Sequence, residues 1–283
     1  MDYLFKKYHG LGNDYLVMGP EIPEDFFTPA FVRRICDHHY GVGSDGLLHG
    51  PLPSQTADVR VRMYNPDGGE FEKSGNGLRI FTRYLFDRGD ITDKPVIIET
   101  KGGLVTARVL EGGNLVRVDM GRASLKSEDI PVRGESREVL NEPLTIKDRV
   151  FNISAVTVGN PHCVVLLENE KELTPDLAKT YGPLLEHHPL FPHRTNVQFM
   201  VPLDEKNIRI EIWERGVGYT LASGSSSCAA ATVAHRLGLC GTAVDVHVPG
   251  GIIHLDIQKD SSLIMTAPVV KICEGAFSPE SLP

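Results

Sequence analysis

Hydrophobic and polar residues alternate along several short segments of the chain, the pattern of strands with one buried face. Two of these segments, 59–65 (VRVRMYN) and 208–214 (IRIEIWE), are followed at the same distance by a serine-glycine pair and a helical segment that closes on a glycine. The closing residues are Gly89 and Gly238. Serine favours the N-cap of a helix and glycine its C-terminal end, so the pattern predicts the same strand-helix unit twice.

Two further pairs of segments match in the same order, which indicates an internal duplication. They are 11–18 (LGNDYLVM) with 158–165 (VGNPHCVV), and 99–105 (ETKGGLV) with 247–253 (HVPGGII). We predict an α+β fold of two pseudo-symmetric domains, each a mostly antiparallel sheet or open barrel around a central helix. The domains are 1–120, with 268–283 packing back on it, and 121–267. The alternative is one domain with recurrent strand-turn patterns.

Composition and charge restrict the classes of partner and the cellular location that we expect. The net charge is −8 and no basic stripe occurs, which argues against a nucleic-acid partner. The chain shows neither a secretory leader nor an apolar run that could span a bilayer, so we expect a cytoplasmic protein without a membrane partner. Five cysteines at irregular spacing predict reduced thiols, with no disulfide framework and no metal site.

The starts of the two central helices predict a site for an anion. A glycine-rich helix start offers unpaired backbone N–H groups and partial positive charge to a carboxylate. If the two starts face each other across a cleft between the domains, Ser74 and Ser223 flank the carbon beside that carboxylate. This geometry suits removal of a proton from one face and delivery to the other. The alternative is that both serines act only as N-caps.

Successive motifs along nearly the whole chain resemble the diaminopimelate epimerase family. They are HGLGNDYLVM (9–18), GVGSDGLL (41–48), YNPDGGE (64–70), SGNGLR (74–79), GNPHCV (159–164), RTNVQF (194–199) and ERGVGYTLASG (214–224). The resemblance implies a homodimer without a cofactor that inverts an amino-acid α-carbon with two bases. It also implies a small amino-acid substrate with a second polar head group, such as LL- or meso-diaminopimelate on the route to lysine and peptidoglycan.

The resemblance also assigns site residues. Ser74 and Ser223 occupy the two acid/base positions, with His162 and Glu214 as supporting residues. The implied substrate contacts are Asn13, Asn65, Asn160, Asn196 and Arg215, and the implied backbone donors are Gly75, Asn76, Gly224 and Ser225. Asparagine and arginine suit a ligand with ammonium and carboxylate groups. In the alternative interpretation these asparagines are turn residues, the histidine is an ordinary strand residue, and Glu214 and Arg215 form a surface ion pair.

Both acid/base positions depart from the family, which has cysteine where this chain has serine. A hydroxyl is several pKa units less acidic than a thiol, so each serine needs a neighbouring general base. His162 and Glu214 are the candidates, and a mechanism through His162 predicts an inflection in the ordinary titration range of histidine. Cys163 and Cys228 are poorly placed to substitute. Gly46 and Tyr219 are further departures, which leave the substrate open.

Several readings of these departures remain open. In the first, the chain is an epimerase that uses a serine relay or in which His162 and Glu214 act directly. In the second, it is a variant whose cysteines were replaced to trap a ligand. Otherwise it is a related racemase or dehydratase for another amino acid, or an amino-acid binder with weakened catalysis. A phenazine-type isomerase of the same architecture would need a glutamate base, for which Glu70 and Glu72 are the nearby candidates.

Overall fold

A computed structural model describes residues 3–278 and residue 280. The chain separates into two compact units, the first formed by Met1–Val118 and Ala267–Pro283 and the second by Asp119–Thr266. Both units contain runs of strands interrupted by two α-helices in the described residues, and the α+β class predicted from the sequence is confirmed. Within the described ranges, no helix is both long and apolar enough to cross a membrane.

The first unit contains seven strands in its N-terminal segment, as described from residue 3 onwards. They are β1 (Tyr3–Gly10), β2 (Asn13–Met18), β3 (Leu47–Leu52), β4 (Val59–Tyr64), β5 (Val96–Thr100), β6 (Gly103–Leu110) and β7 (Leu115–Arg122). Its helices are α1 (Pro29–Cys36) and α2 (Gly75–Arg88), with single 3-10 turns at Glu24–Phe26 and Glu111–Gly113. β7 continues past Val118 and so carries the chain into the second unit.

The second unit is built in the same way. Its strands are β8 (Glu142–Ile146), β9 (Arg149–Thr157), β10 (Pro161–Leu166), β11 (Asn196–Asp204), β12 (Asn207–Glu214), β13 (Gly218–Thr220), β14 (Ala243–Val248), β15 (Gly251–Ile257) and β16 (Ser262–Pro268). Its helices are α3 (Pro175–Glu186) and α4 (Gly224–Arg236), with a 3-10 turn at Glu170–Glu172. The chain then returns to the first unit as β17 (Val270–Phe277), which pairs antiparallel with β1.

The strands of the two units pair in the same order. In the first unit β2–β3 and β4–β5 are parallel, whereas β1–β2, β3–β4, β5–β6 and β6–β7 are antiparallel. In the second, β10–β11 and β12–β14 are parallel, whereas β9–β10, β11–β12, β14–β15 and β15–β16 are antiparallel. Parallel neighbours need a crossover, and α1, α2, α3 and α4 each lie on one. The duplication inferred from the sequence is therefore present in the topology.

The central helices α2 and α4 begin and end where the sequence predicts. Ser74 caps α2, and Gly89 ends it with a φ of 82°, a left-handed conformation that glycine adopts without strain. Ser223 caps α4, and Gly238 follows its C-cap with a φ of 72°. The small and apolar residues of α4 are buried around the helix, as expected for a helix enclosed by its sheet.

α1 and α3 are not among the elements predicted from the sequence, although each has a clear start signal. Thr28 and Thr174 are N-caps whose hydroxyl oxygens accept a hydrogen bond from the third backbone N–H of the helix. Pro29 and Pro175 follow directly, at the first helical position, where a missing N–H costs nothing. The Thr-Pro pair is thus a repeated signal, like the serine-glycine pair.

Candidate active site

The start of α2 places Ser74 at the N-cap, in an extended conformation. Its Oγ accepts a hydrogen bond from the backbone N–H of Gly77 at 3.0 Å, and the residue is half-buried. A Cβ on Gly77 would lie 3.3 Å from the Ser74 Cβ, so glycine leaves room for the serine. Ser74 is therefore an N-cap. The backbone N–H groups beside it form the positive end of the helix, which suits a carboxylate.

A chain of side-chain hydrogen bonds supports this helix start. Asn13 Oδ1 accepts from Asn76 Nδ2 at 2.9 Å, and Asn13 Nδ2 donates to Asp45 Oδ2 at 2.9 Å. Asn76 Oδ1 in turn accepts from Arg79 Nη2, while Arg79 Nη1 donates to the carbonyl of Pro268 at 2.9 Å. Arg79 is fully buried, and burial lowers its pKa to about 10. Asn13 and Asn76 are thus fixed in place beside a buried cation.

Asn65 lies in the turn between β4 and α2. Its backbone N–H donates to the carbonyl of Gly69 at 2.9 Å, and its carbonyl accepts from the N–H of Gly68 at the same distance. The residue is exposed. Asn65 is therefore a turn residue whose side chain lies at the surface of this unit.

The start of α4 repeats the arrangement of α2 with different partners. Ser223 is 4% exposed, and its Oγ accepts from the N–H of Ser226 at 3.4 Å. The hydroxyl of Ser225 is 3.5 Å from the Ser223 Oγ. Ser227 Oγ donates to the Ser223 carbonyl at 2.9 Å. The hydrogen-bond partners of the Ser223 side chain are therefore other residues of the same helix start.

His162 lies on β10, opposite Asn196 on β11, and is fully buried. Its Nε2 is 2.9 Å from Asn160 Oδ1, an oxygen that only accepts, so Nε2 carries the proton. Within the described residues its buried Nδ1 has no hydrogen-bond partner. Burial lowers the pKa of His162 to about 3, and the positive charge of Arg215 acts in the same direction. The imidazole is therefore neutral near pH 7.

The environment of His162 corrects one expectation about it. The prediction that a mechanism through His162 shows an inflection in the ordinary titration range of histidine is wrong, because burial lowers the pKa of His162 to about 3. In the described residues Ser223 hydrogen-bonds to Ser225 and Ser226, whereas His162 hydrogen-bonds to Asn160. A direct proton transfer from Ser223 to His162 would need the side chains to rearrange when substrate binds.

Asn196 and Arg215 are joined where β12 ends. Asn196 Oδ1 accepts from the backbone N–H of Arg215 at 3.0 Å, and its Nδ2 donates to the carbonyl of Pro161 at 2.9 Å. Arg215 Nη1 donates to the carbonyl of His193 at 3.0 Å. The Asn196 side chain is nearly fully buried and serves the backbone. It therefore fixes the loop that carries Arg215, and its contact with substrate stays a prediction.

The sequence does not single out Glu186, a buried carboxylate that holds the same loop. Glu186 is 3% exposed and accepts hydrogen bonds from Trp213 Nε1 at 2.8 Å, the N–H of Gly216 at 3.0 Å and Arg194 Nη1 at 3.2 Å. The Trp213 ring also packs on Gly182, where a Cβ would lie 2.5 Å from Trp213 Cγ. The end of α3 therefore anchors the segment after β12 on both sides of Arg215.

Glu214 is half-buried and ends β12, opposite Gly218 of β13. Tyr219, a departure from the family pattern, lies on the same short hairpin. Its hydroxyl donates to Glu211 Oε2 at 2.7 Å, and the ammonium of Lys179 lies 5.0 Å from the centre of its ring. The hydroxyl of Tyr219 is thus hydrogen-bonded to another residue of the second unit.

Gly46, the other departure, lies under the ring of Tyr15. A Cβ on Gly46 would be 2.5 Å from Tyr15 Cε1, so only glycine leaves room for the ring in this position. Tyr15 is on β2 and nearly fully buried, and its hydroxyl is 3.4 Å from Ser74 Oγ. The sequence contains the signal for this residue, because the internal repeat aligns Tyr15 with His162.

The cysteines lie outside this arrangement. Cys163 and Cys228 are fully buried, and burial raises the pKa of the Cys163 thiol. Neither has the exposure of a reactive thiol. In residues 3–278 and 280, no three side chains of His, Cys, Asp or Glu are grouped so that they could hold a metal ion.

A family model described as diaminopimelate epimerase matches residues 5–126 and 154–272. The chain belongs to the diaminopimelate epimerase family. Diaminopimelate epimerase 2 of Nostoc sp. is 51% identical over 98% of this chain and 96% of its own length. Diaminopimelate epimerase of Moorella thermoacetica is 40% identical over 96% and 98%. The family resemblance of the motifs is therefore confirmed.

Solved structures share the diaminopimelate epimerase fold at much lower identity. A probable proline racemase from Agrobacterium radiobacter K84 has a TM-score of 0.70 at 17% identity, covering 98% of this chain and 93% of its own. A PhzF-family phenazine biosynthesis protein from Bacillus anthracis has a TM-score of 0.66 at 16% identity, covering 98% and 99%. These likenesses concern the fold alone.

The buried histidine of this family member predicts a loss of stability in acid. The pKa of His162 is about 3 in the folded protein and about 6.5 in an unfolded chain, so the unfolded chain binds more protons between these values. The free energy of unfolding should therefore fall as the pH drops from about 6.5 towards 3, by at most about 1.4 kcal/mol per pH unit. His162→Gln should flatten this dependence in urea unfolding curves measured from pH 8 to 4.

His49 provides the internal control for this measurement. Burial also lowers its pKa, to about 4, and it remains in both proteins, so the difference between them isolates His162. Parallel curves for the two proteins would show that His162 is not held neutral by burial.

Proposed function

We propose that the chain is a cofactor-independent epimerase that interconverts LL- and meso-diaminopimelate by removing the proton of one α-carbon and returning a proton to its opposite face. The observation that carries this proposal is the serine-capped, glycine-containing helix start that occurs in both halves of a duplicated fold. Relatives named diaminopimelate epimerase, 40–51% identical over nearly the whole chain, support the substrate.

The helix starts suit the α-carboxylate of an amino acid. The backbone N–H groups of Gly75, Asn76, Gly224 and Ser225 lie in the first turn of their helices, where N–H groups can donate to carboxylate oxygens. When the α-proton leaves, the electron pair spreads onto these oxygens, and the donors then stabilise more negative charge than in the ground state. The guanidinium of Arg215 matches a distal carboxylate in bidentate geometry.

The serines need help to transfer protons. A thiol has a reference pKa near 8.5 and a serine hydroxyl is several units higher, at about 1.4 kcal/mol per unit. A helix N-terminus stabilises an anion by roughly 0.3–2 kcal/mol, which does not close that difference. Each hydroxyl therefore works with a partner that takes or supplies its proton as the α-carbon reacts.

The test is exchange of the α-proton with solvent. Purified protein is incubated in D2O with LL- or meso-diaminopimelate, with EDTA and without pyridoxal phosphate. We expect deuterium at the α-carbon by mass spectrometry, together with formation of the other isomer. A Ser74→Ala/Ser223→Ala double variant is the matched control. Absence of label from both isomers would overturn the proposal.

A second candidate function is binding of an amino acid without turnover. It is favoured by the partners of Ser223, which are serine groups and not a recognised general base. Calorimetric binding of diaminopimelate without deuterium exchange would support this candidate. Exchange with a different amino acid from a panel, or formation of a dehydrated product, would indicate the related racemase or dehydratase reactions.

We further propose that the protein is a cytoplasmic homodimer. It binds the amino-acid substrate and has no nucleic-acid or membrane partner. The family resemblance supports the dimer, and the net charge of −8 argues against polyanions. Sedimentation velocity should give about twice the chain mass of 31.1 kDa. A monomer at micromolar concentration would contradict the dimer and leave the proposed reaction standing.

A further inference from the structure

We propose that Tyr15 is the proton-relay partner of Ser74, and that Gly46 is the residue that lets it occupy this position. The proposal rests on the proposed function, because it assigns the group that allows a serine to act where the family has a thiol. It also makes the two serines unequal, since among the described residues a phenol lies within hydrogen-bond distance of Ser74 and none does so at Ser223.

The contacts of Tyr15 place its hydroxyl at Ser74. The two oxygens are 3.4 Å apart, and Ser74 Oγ is also held by the N–H of Gly77, which leaves the hydroxyl hydrogen free to point elsewhere. On the other side of the ring, Gly46 approaches so closely that a Cβ would lie 2.5 Å from Tyr15 Cε1 and 2.9 Å from the carbonyl oxygen of Tyr64. A larger residue at position 46 would displace the ring from Ser74.

The internal duplication gives independent support. The segments 11–18 and 158–165 align Tyr15 with His162, and both residues lie on the strand that follows a Gly-Asn pair. The two strands have the same parallel and antiparallel neighbours in their units. Tyr15 therefore holds, in the first unit, the place of the residue that the family resemblance assigns as a supporting group in the second.

The chemistry of a phenol fits this task. In one direction a phenolate at position 15 takes the Ser74 hydroxyl proton while Ser74 Oγ takes the α-proton, and the electron pair of the C–H bond stays on the substrate. In the other direction Ser74 gives its proton to the α-carbon and receives the Tyr15 proton. Serine is neutral before and after, and the negative charge moves between substrate and phenol. A phenol has a reference pKa near 10, far closer to that of a thiol than an alcohol is.

The first test compares the two substrate isomers. LL- and meso-diaminopimelate present the reacting proton on opposite faces, so each isomer is deprotonated by a different serine. We expect Tyr15→Phe to slow α-deuterium exchange of one isomer by roughly 10²-fold, and this isomer must be the one that Ser74→Ala affects. Exchange of the other isomer should change by less than about threefold. Gly46→Ala, which retains the hydroxyl but moves the ring, should affect the same isomer.

A second test uses a thiol at position 74. In a Ser74→Cys background Tyr15→Phe should cost less than about threefold, because a thiol can ionise without the phenol. Loss of packing alone would slow both backgrounds equally. Tyr8→Phe is the matched control: Tyr8 is the cross-strand neighbour of Tyr15, and its buried hydroxyl donates to Asp87 Oδ2 at 3.0 Å, away from Ser74. It should leave exchange of both isomers unchanged.

The outcomes separate this inference from the proposed function. If the parent protein exchanges neither isomer, the proposed function fails. If the parent exchanges both, Ser74→Ala slows one, and Tyr15→Phe and Gly46→Ala slow neither by more than about threefold, Tyr15 is not the relay and the proposed function stands.

Discussion

Ser74→Ala and Ser223→Ala are each expected to lower the rate of diaminopimelate epimerisation by roughly 10²- to 10⁴-fold, the range for loss of a general acid or base. Inversion needs one group to remove the α-proton and another to return one, so each single variant should lose inversion. Each should still exchange the isomer whose proton the remaining serine removes. Isomer-specific exchange in D2O, measured beside the inversion rate, checks both parts of this result.

Both serines are also helix caps, so stability must be separated from chemistry. Alanine removes the oxygen that accepts from the N–H of Gly77 or Ser226, at a cost of about 1 kcal/mol of folding free energy. Serine-to-asparagine variants retain a capping oxygen without a hydroxyl, and they should fold like the parent and lack activity. Thr174→Ala removes the cap of α3 and should lose stability alone. Near-parental activity of the alanine and asparagine variants would show that other groups are the bases.

Local sequence signals were sufficient for the elements that carry the candidate site. The residues at the ends of α2 and α4 have strong intrinsic preferences: serine for the N-cap, and glycine for the left-handed end. Strand alternation gave β4 and β12, and the order of these signals gave the duplication. The start signal of α1 and α3 is a single Thr-Pro pair, which fixes the first turn of a helix but does not by itself predict one.

The environment of individual side chains was beyond the reach of sequence. Whether His162 titrates near 6.5 or near 3 depends on how completely the sheet and α4 exclude water, which no local pattern states. Asn196 stands in a family motif, yet its amide is used by backbone groups at Pro161 and Arg215. The internal repeat aligns Tyr15 with His162, but only the structure shows that its hydroxyl lies beside Ser74.

Glu186→Ala is expected to destabilise the second unit and to weaken substrate binding together. The substitution removes the acceptor of the half-buried Trp213 Nε1–H, at roughly 1–3 kcal/mol, and that of the N–H of Gly216, an exposed residue where water can take its place. These groups lie on either side of Arg215, so the loop that presents the guanidinium loses its anchor. We expect a lower free energy of unfolding in urea and a raised KM for diaminopimelate, with a smaller change in kcat because Arg215 is distant from the reacting carbon in the proposed binding mode.

Two variants separate the anchor from its charge. Glu186→Gln keeps one oxygen acceptor and should lose less stability than alanine. Arg194→Ala removes only an exposed ion-pair partner, for which about 0–1 kcal/mol is expected. Arg215→Ala should raise KM with little effect on stability, because its guanidinium donates a hydrogen bond to a single carbonyl at the surface of the unit.

If Glu186→Ala lowers stability but leaves KM at the parental value, the loop does not depend on this carboxylate for its substrate-binding geometry. A rise in KM of similar size in Glu186→Ala and Arg215→Ala, with no further rise in the double variant, would show that the buried carboxylate acts on the substrate through Arg215.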